Sequence, residues 1–164
     1  MIYSDILRTI KIVDQVRELS SEIDLLLDSL FKKEANAFEK ALSSISIPNK
    51  QALKSGFPGQ KDNISFEDKT MIKEYLIGLK EEIQKIKTLK LSLAFEVSES
   101  SIDNLFNWVL KNFGEGIILD IKTDKSLLGG AIIEFEGRYK DLTLKKKLEE
   151  VFASKREEIT KTIT

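Results

Sequence analysis

Cysteine and histidine are absent from the 164 residues, and proline occurs only twice. Without a thiol or an imidazole the chain has no means to build a cysteine nucleophile, a Ser-His triad, a disulfide framework or a zinc site of the usual nitrogen and sulfur ligands. Any metal would have to be a hard cation held by oxygens, and no metal or cofactor is expected. An excess of one charge is missing too: 26 Lys and Arg stand against 27 Asp and Glu. Up to Lys90 there are 15 basic and 14 acidic residues, and after it 11 and 13. Neither part carries the basic footprint of a nucleic-acid-binding protein. Apolar runs are only a few residues long, such as Leu25-Leu26-Leu27, far below the roughly 20 residues that span a bilayer. The opening MIYSDILRTIK lacks the apolar block of a secretion signal. These absences predict a soluble, intracellular protein with no nucleic-acid partner and no direct membrane insertion.

What is present is apolar periodicity, in a chain that is 41% hydrophobic and long enough for a core. Ile12, Val16, Leu19, Ile23, Leu26 and Leu30 follow spacings of four and three, the stripe of an amphipathic helix. Phe31, Ala35, Phe38, Leu42 and Ile45 continue the stripe, moved by one residue. A straight helix drifts in this way against a strict heptad, so one helix is predicted from near Ser4 to Ser44, roughly 60 Å long at 1.5 Å per residue. Both prolines and much of the turn chemistry fall in the stretch SIPNKQALKSGFPGQKDNIS, read as a loop at 46–65. Ser65 then serves as an N-cap, with Glu67 and Asp68 in the first turn of a second helix. Ile72, Leu76, Leu79, Ile83 and Ile86 form its stripe.

From Leu89 the period becomes two: Leu89, Leu91, Leu93, Phe95 and Val97 alternate with more polar residues, as in a half-buried strand. Ser98 or Ser100 caps a helix carrying Ile102, Leu105, Phe106, Val109, Leu110 and Phe113, closed by Gly114. A strand over 116–122, a hairpin turning at Glu136-Gly137, and a final helix from about Leu144 complete the pattern. The predicted fold is α+β: a long N-terminal helical hairpin over 1–88, then a small β-α-β-β-β-α domain over 89–164.

Few residues suggest chemistry. Gly129-Gly130 could let backbone amides approach a phosphate, but it lacks the Lys-Ser/Thr of a P-loop and enters a strand, which favours a turn between strands. Asp120, Asp124, Glu134 and Asp141 could supply oxygen ligands or paired carboxylates; caps and solvated turns explain them more simply. The run Lys145-Lys146-Lys147 reads as a solvated helix face or, alternatively, a phosphate or acidic-lipid patch. Trp108 is either core or an exposed contact residue. The two long helices also differ in length by about 25 Å. Ile12, Val16, Leu19 and Ile23 would then form an uncovered seam, unfavourable by about 1.5 to 3 kcal/mol for each large side chain. Another chain, a second copy, or a break that folds the first helix back on itself should cover it, and the seam is the strongest hint of a protein partner.

The stretch from Val97 to Phe152 resembles the C-terminal region of the delta subunit of F-type ATP synthases, the counterpart of the mitochondrial oligomycin-sensitivity-conferring protein. The likeness is carried by Asp124, Ser126, Leu127, Leu128, Gly129 and Gly130, then Ala131-Ile132-Ile133-Glu134, the turn at Gly137, and Asp141 leading into a helix with Leu144 and Leu148. Thr143 stands where the family has a serine. The first half, read as two long helices, differs from the family's compact bundle of six. The resemblance implies a non-catalytic stator subunit without cofactor. Its implied partners are the b subunits of the peripheral stalk and the alpha subunits of the catalytic head, on the cytoplasmic side of the energy-coupling membrane. The long-helix layout is also similar to the E-type stalk protein of archaeal and vacuolar ATPases. A small enzyme or ligand-binding module using the carboxylates beside Gly129-Gly130 is the alternative from another class.

Overall fold

The computed structural model describes residues 3–163 apart from 33, 35 and 58–65. The chain divides into two compact units, Met1–Ile86 and Lys87–Thr164. The first contains α1 (Ser4–Thr9), α2 (Val13–Leu30), α3 (Ala37–Ser44), α4 (Ile47–Gly56) and α5 (Phe66–Gln84). The predicted 60 Å helix is therefore three separate helices, and the loop expected at 46–65 is helical over 47–56. Ala35, Pro58 and the expected cap Ser65 lie outside the described residues.

Each break has a local cause. Ahead of α2, Gln15 turns back so that its Oε1 accepts from the N–H groups of Lys11 and Ile12 at 2.8 and 3.3 Å, satisfying donors that a helix start leaves open. Between α2 and α3 the chain reverses through Asn36 at φ 61°, one of the few non-glycine residues that tolerates the left-handed region. α4 starts with Pro48 in its first turn, where a missing N–H is harmless. A carboxylate from another helix completes this start: Glu22 of α2 accepts from Ser46 N and Asn49 Nδ2, both at 2.6 Å.

The helices bury one another's stripes. α3 and α5 both pack on α2, and α1 packs on α4. Leu19, Ile23, Leu26, Leu30, Phe38, Leu42, Leu53, Ile72, Leu76 and Leu79 form the core. Tyr3, Tyr75, Phe57 and Phe38 stand in a chain of tilted and edge-on rings with centroids 5.2 to 6.1 Å apart, the spacing aromatic pairs prefer. Gly78, inside α5, is explained by this cluster, because a Cβ there would sit 2.3 Å from the Tyr3 hydroxyl.

The second unit contains β1 (Lys87–Leu93), α6 (Glu99–Phe113), β2 (Ile117–Thr123), β3 (Ala131–Phe135), β4 (Arg138–Asp141) and α7 (Leu144–Ile163), the predicted order β-α-β-β-β-α. The sheet order is β2-β1-β3-β4. β1 and β2 run parallel, joined through α6, with Leu89 opposite Leu119 and Leu91 opposite Ile121. β3 pairs antiparallel with β1, and β4 with β3. β1 ends at Leu93, earlier than the alternation suggests, and Phe95 is exposed. Leu89, Leu91, Leu93, Ile117, Leu119, Phe106 and Val109 are buried. Ser98 caps α6 by accepting from Ser101 N. Phe135 meets Phe113 edge-on at 5.4 Å, and Phe113 meets Trp108 at 5.7 Å. Trp108 is thus a half-exposed rim residue, neither fully core nor free. The hairpin turns on Glu136 and Gly137, both at positive φ, as a two-residue turn between right-twisted strands requires.

Candidate functional site

Gly129 to Ala131 meet Leu142 to Leu144 at the start of α7, and a turn at Asp124 precedes them. Asp124 opens a turn in which its Oδ1 accepts from Ser126 N at 2.9 Å and from Ser126 Oγ at 2.6 Å. This hydrogen bonding, first from the hydroxyl and then from the amide, holds the Asp124 carboxyl below its ordinary range. Leu127 is half-buried, whereas Leu128 projects with 70% of its surface exposed. Gly129 and Gly130 then run alongside Leu142 and Thr143. Leu144 N donates to Gly129 O at 2.9 Å, and Leu142 N donates to Ala131 O at 2.8 Å.

Gly130 is where this approach is tightest. Its φ is +84°, and a Cβ would lie 2.3 Å from the Leu142 carbonyl oxygen and 3.0 Å from Thr143 Cα. The pair is therefore a close backbone crossing that continues the β3–β4 pairing up to the start of α7, and a phosphate cradle is not what the glycines build. On the other side of the crossing, Thr143 N donates to Asp141 Oδ1 at 2.8 Å, and Lys146 N donates to Thr143 Oγ1 at 3.3 Å. Thr143 thus caps α7, and it is buried. Of the expected family motif, Gly129, Gly130, Asp141 and Thr143 lie at this crossing, Asp124 and Ser126 bond each other in the turn before it, and Leu127 and Leu128 connect the two. The carboxylates of Asp124 and Asp141 are engaged in turning the chain.

Asp141 also titrates low, through its hydrogen bonds with Thr143 and then the nearby Lys146 and Lys145. A carboxyl whose pKa is lower in the folded than in the unfolded chain favours folding above the unfolded pKa, and that gain is lost as the pH falls through the folded value. Asp141→Asn is accordingly expected to flatten the acid side of the stability profile: between neutral pH and about pH 3, the unaltered chain loses more stability than the variant. Urea denaturation at a series of pH values measures this; parallel curves for the two chains would contradict it.

The expected seam fares differently. Leu19 and Ile23 are fully buried in the first unit, while Ile12 and Val16 are half-buried. The stripe is covered because α3 and α5 fold back onto α2, the third of the three covers expected for it, a break in the first helix. Exposed apolar residues lie elsewhere. Along α7, Leu144, Leu148, Val151 and Phe152 are between 41% and 61% exposed, and Leu128 and Leu142 are exposed as well. The helix itself was legible in the sequence; the exposure of these side chains was not.

The family model described as ATP synthase delta (OSCP) subunit matches residues 66–154, more than half of the chain. The chain belongs to this family. The match takes in α5 as well as the sheet, α6 and the first part of α7, so the delta-family region begins earlier than the motif residues alone indicate. The chain is 34% identical over 62 residues to ATP synthase subunit delta of Pelagibacter ubique (strain HTCC1062), a stretch covering 38% of this chain and 34% of that protein. It spans about a third of the length of this curated relative. A chain in the cryo-EM structure of Polytomella F-ATP synthase is 26% identical, with a TM-score of 0.41, over 47% of this chain and 99% of the other. Among the described residues, no helix of this delta-family chain is long and apolar enough to cross a membrane.

Proposed function

We propose that this delta-family chain is a non-catalytic stator subunit of a rotary ATP synthase, linking the peripheral stalk, through its b subunits, to the alpha subunits of the catalytic head. The match of residues 66–154 to the delta family carries this reading. The joint at Gly130 supports it in physical terms, since rigid backbone crossings and exposed apolar side chains suit a part that bears load between other proteins. In this role the chain sits peripherally on the cytoplasmic side of the energy-coupling membrane and is held there by its partners. Native co-purification from a tagged chain tests the proposal. Recovery of the b and alpha subunits is the expected result, and recovery of the chain with no ATP synthase subunit would defeat it.

A further inference from the structure

The two edges of the sheet differ. β2, at one edge, buries Ile117, Ile118 and Leu119. On β4, at the other, Arg138, Tyr139 and Lys140 are all exposed. Residues along an antiparallel strand alternate between positions bonded to the neighbour and positions turned away from it. The bond from Leu142 N to Ala131 O fixes the phase: residues 142, 140 and 138 bond toward β3, and the N–H and C=O groups of Tyr139 and Asp141 point away from it. A segment laid along β4 finds both donors and acceptors there.

Charge on this edge is sorted by face. Arg138 and Lys140 stand opposite Phe135 and Ile133, on the same face as Leu91, and Tyr139 lies on the other. Glu134 and Glu136, the acidic residues of β3 and its turn, are already paired with Lys90 and Lys87. The Asp141 carboxylate accepts from Thr143 N, with Lys146 and Lys145 nearby, and it belongs to the Tyr139 face. Arg138 and Lys140 therefore have no ion-pair partner among the described residues.

These cations also oppose self-pairing. When two β4 edges meet antiparallel in the registers of greatest overlap, Lys140 faces Lys140 or Arg138 faces Lys140, and like charges directly opposite are destabilising. The edge thus repels a second copy and favours a segment of opposite charge.

We infer that the free edge of β4 takes an extended, acidic segment of another protein as an added antiparallel strand. Its residues alternate acidic, apolar, acidic, so that carboxylates face Arg138 and Lys140 and an apolar side chain faces Tyr139. Main-chain hydrogen bonds to Tyr139 and Asp141 hold the strand, and the charges select it. The antiparallel sense follows from the short edge, where the more stable ladder per residue counts most. The inference goes beyond the stator reading and does not depend on it.

Two short peptides of alternating valine, one with glutamate and one with lysine at the positions between, provide the test on the full chain. The glutamate peptide is expected to bind about tenfold more tightly at low salt, with the difference shrinking as ionic strength rises. Its binding should slow amide exchange at Tyr139 and Asp141 and leave β2 unchanged. N-methylation of its valine amides keeps the charge, removes the donors facing Tyr139 and Asp141, and should abolish binding. Arg138→Glu and Lys140→Glu together should reverse the preference, while Lys122→Glu, on β2, should leave it in place. Equal binding of the two peptides by the unaltered chain overturns the inference, even if the double variant fails to fold. So does undiminished binding of the N-methylated peptide, or slowed exchange along β2 in place of β4.

Discussion

Replacing Leu19 by aspartate unfolds the N-terminal helical unit, whereas the same change at Val16 leaves it folded. Both residues belong to one stripe by spacing, but Leu19 is 0% exposed and Val16 is half-buried. A carboxylate at Leu19 is forced into an apolar site among the packed helices. Such a change costs several kcal/mol, about 4 or more, a large part of the stability of an ordinary domain. At Val16 the carboxylate can turn toward water, and a loss of about 1 kcal/mol is expected. Circular dichroism reports the helical content. Trp108 is the only tryptophan and lies in the second unit, so its fluorescence reports that unit separately. Equal losses from the two substitutions would mean that α2 is not covered as described.

Gly130→Ala is the second large effect, and Gly137→Ala is its control. Both glycines have positive φ, at +84° and +75°. A methyl group at Gly137 would meet nothing within 4 Å, so only the backbone penalty applies there, about 1 kcal/mol. At Gly130 the same methyl would be driven to 2.3 Å from the Leu142 carbonyl, which belongs to the backbone and has no side-chain freedom to yield. The two penalties together come to about 3 kcal/mol or more. The relief available is separation of residues 142–144 from 129–131, breaking the Leu144 to Gly129 and Leu142 to Ala131 hydrogen bonds. Amide hydrogen exchange at Leu142 and Leu144 reads this opening directly. If the two glycine variants lose the same stability, the crossing is not the constraint that the glycine pair satisfies.

The seam and the motif separate what could be read early from what could not. In the second unit every signal was local: alternation in β1, a serine cap before α6, a positive-φ turn at Glu136-Gly137. These interactions involve residues close in sequence, and the order of elements was legible from them. The Gly129-Gly130 pair was legible as a turn, but its purpose was not, because the Leu142 carbonyl that excludes a Cβ lies twelve residues away. In the first unit the slip of the apolar stripe at Phe31 was compatible with helical drift. It also coincides with the end of α2, and periodicity treats a continuous helix and a folded-back one alike, since both keep the same residues on one side.

The amino-acid sequence alone thus determined the order of elements in the second unit, the serine cap of α6 and the likeness to the delta subunit, because each depends on spacings of a few residues. Tertiary structure alone decided that Leu19 and Ile23 are core and that Leu144, Leu148, Val151 and Phe152 remain exposed. An apolar stripe states that a helix face is to be covered. Which face finds its cover within the same chain depends on where distant helices come to rest, and that is set by the summed burial of the whole unit and not by any one segment.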